Sequence, residues 1–315
     1  MQPPAIIFVH VPKAAGTTLH RIIEKHYPRQ TVYSTNPSLL NPEASIEHFK
    51  QLPLEQRAQI RILKGHLPYG LHDYLPGPST YFTLLREPVD RVVSFYYYVR
   101  QSTRHYLHEQ VLARDLTLQQ YIESCITTSN DNFQTRLISG VHHEALYGRC
   151  TPAMLDTAKR HLQEHFSVVG LSEQFDATLL MLKHAFQWRD LFYVRQNVNT
   201  DRPMLPNIPS ATIDLIREHN QLDIELYQFV KQHFEDRLRQ AGPEFAQELA
   251  AFRAANQRRQ PWLRIDWQMR EQVRRSQDLA LLAHTTHQVP LPLLQIYWFL
   301  RQVSLRAWLH PRASK

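Results

Sequence analysis

Residues 6–19, Ile-Ile-Phe-Val-His-Val-Pro-Lys-Ala-Ala-Gly-Thr-Thr-Leu, constrain this chain more than any other segment. Ile6–Val11 is a short apolar run of the kind that forms a strand buried on both faces. A loop carrying Lys13 and Gly16 follows, and the pattern predicts a helix over Thr17–Tyr27 that stops at Pro28. A strand feeding a helix N-terminus gathers unpaired backbone N–H groups and the positive end of the helix dipole at one point. Such a point binds anions, and on a nucleotide the anion is a phosphate or sulfate. An ordinary core strand has no use for a lysine at its mouth. His10, inside the strand, reads as a satisfied core histidine.

Further strands are predicted at Ile60–Lys64, Thr80–Leu85, Ser167–Gly170 and Leu191–Val194. Helices are predicted over 89–101, with Pro88 in the first turn, and over 116–137, 152–165, 177–186 and 208–239. Residues 34–56, with prolines at 37, 42 and 53, read as loop with one short helix. Strands alternating with helices give an α/β fold with a parallel sheet. The 315 residues are 43% hydrophobic, enough for a substantial core. A net charge of +7 with 18 histidines uncounted favours anionic partners without choosing among nucleotides, acidic glycans, nucleic acid and membrane surfaces. Cys125 and Cys150 are the only cysteines, which excludes a disulfide framework or a Cys-based zinc site. The first strand begins almost at once, leaving no room for a signal peptide, so a cytoplasmic location is expected.

After Gly242-Pro243 the composition turns polar and helical, so residues 1–240 are taken as one domain and 243–315 as a helical C-terminal extension. Its basic pairs, Arg258-Arg259 and Arg274-Arg275, read as a solvated face, and no nucleic-acid partner is expected. Segment 293–309 is rich in Trp, Leu and Tyr but too interrupted to span a bilayer. Packing on the body is its first reading, and peripheral membrane contact its second.

Three motifs carry chemistry. In the first, Lys13 precedes Gly16, unlike a Walker A loop, whose lysine follows the last glycine and whose hydroxyl ligates magnesium. No apolar strand ending in a magnesium-binding aspartate follows, so no metal is expected. In the second, Leu84-Leu85-Arg86-Glu87-Pro88-Val89-Asp90-Arg91-Val92-Val93-Ser94, a strand ends in Arg86 and Ser94 lies inside the next helix. Arg86 and Ser94 can converge on a second phosphate. The third is Lys64-Gly65-His66, a histidine delivered at a strand end.

Together these motifs resemble the P-loop sulfotransferases that use 3′-phosphoadenosine-5′-phosphosulfate (PAPS), above all the heparan sulfate 2-O- and 6-O-sulfotransferase group and its bacterial relatives. The resemblance implies a P-loop-type three-layer fold and a carbohydrate or other hydroxyl acceptor. It assigns the 5′-phosphosulfate to Lys13, Ala14, Ala15, Gly16, Thr17 and Thr18, and the 3′-phosphate to Arg86 and Ser94. It makes His66 the base, with His72 in reserve, and Lys13 the group that neutralises charge on the leaving oxygen. Imidazole suits such a base, because its pKa lies near the working range. Asn132–Leu137, Val169–Glu173 and Asn197–Arg202 extend the likeness to about residue 240. Rival readings are a P-loop kinase using ATP and magnesium, and a non-catalytic basic protein that binds glycans or membranes.

Other signals are weaker. His161-Leu162-Gln163-Glu164-His165 matches a zinc-protease pattern but has no third ligand in view. His105/His108 and His284/His287 read as solvated helix faces. Of Tyr96, Tyr97 and Tyr98, one ring belongs in the core and another lines the acceptor cleft. Glu87 and Asp90 read as helix caps, and Arg91 as a solvated charge.

Overall fold

The computed structural model describes residues 3–35, 42–141, 146–194 and 202–283. The chain runs β1 (Ala5–Val9), α1 (Gly16–Ile23), β2 (Val32–Thr35), α2 (Pro42–Gln51), α3 (Leu54–Ala58), β3 (Ile62–Gly65) and β4 (Ser79–Leu85). It continues through α4 (Pro88–Gln101), α5 (His108–Ala113), α6 (Leu118–Glu123), α7 (Phe133–Ser139), α8 (Pro152–Glu164) and β5 (Phe166–Leu171). Helices α9 (Phe175–Phe186), α10 (Ser210–His219) and α11 (Gln221–Ala283) follow. The five strands form one sheet in the order β2-β3-β1-β4-β5, and every pairing is parallel. This is the expected α/β architecture, with a helical C-terminal region.

Successive residues of a strand face opposite sides, so burial of Ile6, Ile7, Phe8 and Val9 alike means that both faces of the sheet are covered. Leu19, Ile22 and Ile23 of α1, Phe49 of α2 and Leu179, Leu180 and Leu182 of α9 belong to the same core as β1. A second core gathers Val92, Val93 and Val99 of α4 with Val111 of α5, Ile122 of α6 and Ile216 of α10.

Five sequence expectations change, the first being that α2 and α3 both begin in the stretch expected to hold one short helix. Val32–Thr35 is an edge strand where the pattern predicts loop from residue 34; four residues paired only to β3 give too short a run to register as periodicity. Residues 191–194 form no strand, because Leu191 and Tyr193 bury in the core while the Tyr193 amide donates to Asn256 Oδ1. The helix over 116–137 is two, α6 and α7, interrupted by left-handed residues at Cys125 and Asn132. The region 208–239 likewise breaks at Asn220, whose side chain is spent on the carbonyls of Asn130 and Ile216.

Contacts divide the chain into Met1–Asn256 and Gln257–Lys315. Helix α11 breaks its helical geometry at Gly242, yet Phe245, Leu249 and Phe252 beyond it still pack on the first unit's core. In the second unit, the described residues are helical through Ala283. Segment 293–309 lies outside the described residues. Among them, no helix is long and apolar enough to cross a membrane.

Asp223 of α11 ties the helical layer together. Its carboxylate is fully buried and accepts from the Gln134 amide at 3.0 Å, the Thr135 amide at 2.7 Å and the Thr135 hydroxyl at 2.8 Å. Asp223→Ala strands those donors without water, and unfolding in urea should show a loss of about 2–4 kcal/mol. A midpoint unchanged from wild type would mean that the donors find other partners.

Candidate active site

The parallel register sets the site. Val9 pairs with Gly65 on one side and Thr83 on the other, so the loops leaving β1, β3 and β4 emerge side by side at the carboxyl edge of the sheet. That edge is where open parallel sheets hold their ligands. It brings together His10–Thr18, His66 and Arg86, which are far apart in sequence.

The loop after β1 is tightly wound. Lys13 and Ala15 have φ of 70° and 59°, the left-handed region, while Gly16 opens α1. Non-glycine residues hold this geometry at a cost of about 1–2 kcal/mol each, and alternating handedness turns successive amides toward a common point. The N-cap residue of α1, Ala15, makes no side-chain cap, and no acidic residue sits in the helix's first turn. Gly16 is required by its neighbour: a Cβ there would lie 1.7 Å from His10 Nε2. Ala14 and Thr18 are buried, Ala15 packs against the core, and Thr17 is exposed.

The Lys13 ammonium stands 4.1 Å over the ring of Tyr98. Burial, then the neighbouring charges of Arg86 and Arg202, push its pKa down to about 8. Arg86 Nη1 donates to the Lys13 carbonyl at 2.6 Å, and its Nε donates to Asp90 Oδ2 at 2.8 Å. Arg202, at the end of the third supportive segment, pairs with the other oxygen of Asp90. The rest of that segment, residues 197–201, lies outside the described residues. Asp90 and Ser94 are one helical turn apart on α4 and share a face, so Arg86 and the half-buried Ser94 are presented together. Glu87 performs the capping expected of it, accepting from the amides of Val89 and Asp90. Asp90 instead holds the two arginines. Arg91 is not solvated: it is fully buried, donates to the Ser129 carbonyl at 2.7 Å and lies 5.7 Å from the Phe133 ring centroid. Its place on the inner face of α4, beneath the second helical layer, explains the difference.

His66 sits half-buried directly after Gly65. Its Nδ1 donates to the His10 carbonyl at 3.0 Å and its ring stacks on that of His10 at 4.3 Å. A carbonyl can only accept, so Nδ1 carries the proton and Nε2 keeps its lone pair. Burial lowers the His66 pKa, opposed by that hydrogen bond, which keeps the ring neutral near pH 7. His10 in turn exchanges a hydrogen bond with His20 at 3.0 Å. Burial holds both of these far below the ordinary imidazole range, helped by Lys64 in each case and by Lys13 at His10. Gly65 is fixed by its own neighbour, since a Cβ would lie 1.9 Å from Thr35 Oγ1.

His72 belongs elsewhere. Its Nδ1 bonds the Tyr81 hydroxyl at 2.8 Å, midway along β4, and its ring lies near those of Tyr69 and His165. His161 stacks on Tyr69 at 3.6 Å and its Nδ1 donates to the Ile138 carbonyl. Among the described residues, no group of three or more His, Cys, Asp or Glu side chains is gathered for a metal ion. Tyr96 is the core ring of its run and Tyr98 the one at the site, beneath Lys13. Sequence reasoning missed the histidine stack, Asp90 as the arginine holder and Gln134 as a support: Gln134 pairs with both the amide and the carbonyl of Arg86 at 3.0 Å.

Comparison with known proteins returns a profile for galactose-3-O-sulfotransferases over residues 2–266. Bovine (Bos taurus) galactose-3-O-sulfotransferase 3 is 25% identical over 261 residues, 75% of this chain and 58% of that protein. Mouse (Mus musculus) galactosylceramide sulfotransferase is 24% identical over 277 residues, 80% and 62% of the two chains. Heparan-sulfate 6-O-sulfotransferase 1-B of Danio rerio is 26% identical over 274 residues, 74% and 66%. The chain spans about 58% of the length of the first of these relatives.

The contact between Gly16 and His10 makes a sharp test. Gly16→Ala should destabilise the fold by about 1–3 kcal/mol, the usual range for overpacking a filled site. Adding His10→Ala should recover part of that loss, measured by thermal unfolding of the single and double variants. Strict additivity would show that the two positions do not press on one another.

Proposed function

Because the chain belongs to the galactose-3-O-sulfotransferase family, we propose that it transfers the sulfuryl group of PAPS to a carbohydrate hydroxyl. The family's name points to a galactose 3-hydroxyl. The observation that carries the reading is the gathering of Arg86 and Arg202 on Asp90 beside Lys13, whose carbonyl accepts from Arg86. Among the described residues, three cations grouped with Asp90, beside the N-terminus of α1, suit a ligand with several negative charges. PAPS carries such charges at both its 5′-phosphosulfate and its 3′-phosphate.

The roles divide by position. Lys13 and the amides of Ala14–Thr18 hold the 5′-phosphosulfate, and Arg86 with Ser94 holds the 3′-phosphate. His66 takes the acceptor's hydroxyl proton on Nε2 while the acceptor oxygen bonds to sulfur and the sulfur–phosphate oxygen bond breaks. Lys13 meets the charge that gathers on that departing oxygen. A neutral His66 is the competent form, and the burial that lowers its pKa keeps it so through neutral pH. A base of this kind contributes about 10²–10⁴-fold in rate, and His66→Ala should lose that much turnover while keeping affinity for the product nucleotide, 3′-phosphoadenosine 5′-phosphate (PAP). The rival kinase reading calls for ATP with magnesium in preference to PAP. Calorimetric titration of both ligands separates the two, and tighter binding of ATP–magnesium would sink the sulfotransferase reading.

Two further outcomes are expected. Arg86→Ala should weaken PAP far more than adenosine 5′-phosphosulfate, which lacks the 3′-phosphate; equal weakening would remove Arg86 from that subsite. Lys13 in the free protein loses its charge near pH 8, and only the charged form serves. The kcat/KM for PAPS, which reports the free enzyme, should therefore fall about tenfold per unit above that pH. Lys13→Arg should shift the falling limb upward, since guanidinium stays charged. A wild-type profile level to pH 9.5 would contradict the role given to Lys13.

A further inference from the structure

Beyond Lys13 the ring of Tyr98 begins a continuous run of aromatic side chains. His105 meets Tyr98 edge-on at 5.6 Å and Phe95 edge-on at 5.4 Å, and it stacks on Tyr106 at 4.7 Å. Tyr98 is 37% exposed and Tyr106 73% exposed. Tyr106 is nonetheless held in place: its face lies on His105, and its hydroxyl bonds Thr127 Oγ1 at 3.1 Å. An exposed ring fixed at both its face and its tip gains little from folding, because most of its surface stays in water. A flat, fixed aromatic surface is what the C–H face of a sugar ring packs against. It does so without the entropy cost of ordering a loose side chain.

His105 supplies the polar complement. Its Nδ1 accepts from the Leu107 amide at 3.3 Å, so the proton of the neutral ring is on Nε2, a donor for a sugar oxygen. Burial, then the charges of Lys13, His108 and His66, lower its pKa to about 4 and keep it in that neutral form. Two of these neighbours, Lys13 and His66, are the residues assigned to the transfer step. Through Tyr98 the aromatic run reaches Lys13, the group assigned to the departing oxygen.

We propose that Tyr98, His105 and Tyr106 form the acceptor shelf, with a pyranose ring seated on Tyr106 and an oxygen of the acceptor bonded to His105 Nε2–H. This rests on the sulfuryl-transfer reading and adds where the sugar sits. Tyr106 then governs acceptor affinity rather than the chemical step.

The test is steady-state transfer from labelled PAPS to lactose and to N-acetyllactosamine, varying acceptor and PAPS separately. Tyr106→Ala should raise the acceptor KM about three- to tenfold, the size of one aromatic stacking contact. Its kcat, its KM for PAPS and its melting temperature should match wild type. Tyr106→Phe keeps the ring and should stay within about twofold of wild type. His105→Ala should raise the acceptor KM as Tyr106→Ala does. An unchanged acceptor KM in Tyr106→Ala, beside an active wild type, overturns the shelf alone. A KM for PAPS that rises in step with it does the same, since the rings would then hold the adenine. A wild type that binds PAP yet sulfates neither sugar overturns the galactoside reading and the shelf with it.

Discussion

Arg86 ties the loop after β1 to three of the helices around it. Its guanidinium donates to the Lys13 carbonyl and to Asp90, while its own amide and carbonyl pair with the Gln134 side chain. Gln134 is itself fixed, because its amide and that of Thr135 donate to buried Asp223. The left-handed turn at Lys13 is therefore braced by α4 directly, and by α7 and α11 through Gln134. A strained loop persists only where its surroundings over-determine it, and here three helices do so. Binding groups held this way spend little free energy on ordering themselves when a ligand arrives.

Beneath the loop lies the opposite electrostatic solution. His66 stacks on His10 and His20 meets His10 edge-on, with buried Lys64 and Lys13 nearby. Burial disfavours a charge on any of the three, and the nearby lysines add to this at His10 and His20, so each imidazole is held toward its neutral form. Lys64 is itself neutralised by Glu24 at 2.6 Å. Positive charge is thus concentrated on Lys13, Arg86 and Arg202, where an anionic ligand would use it, and kept out of the histidines. A neutral His66 with Nδ1 committed to a carbonyl keeps Nε2 as an acceptor, the form that the proposed base role calls for.

How much of this the sequence disclosed follows from range. The strand, the lysine-bearing loop and the opening of α1 lie within fourteen consecutive positions, and local pattern is sufficient to find them. The same holds for Arg86 at the end of β4 with Ser94 two turns into α4, and for Gly65-His66. What could not be read are contacts set by the parallel register. The pairing of Val9 with Gly65 and Thr83 joins segments more than fifty residues apart, and only that pairing stacks His66 on His10. His10 looked like a core histidine because a strand interior is where it stands. It is buried as expected, but it also orients His66 and dictates a glycine at position 16. Asp90 shows the same limit from the other direction. Its place in the first turn of α4 fits a cap so well that local pattern offers no reason to assign it two arginines, one of them 112 residues away. His105, discounted as part of a solvated face, gains its meaning only from Tyr98 beneath Lys13. Local periodicity finds elements and the residues at their ends; it does not find the side chains that hold those residues in register.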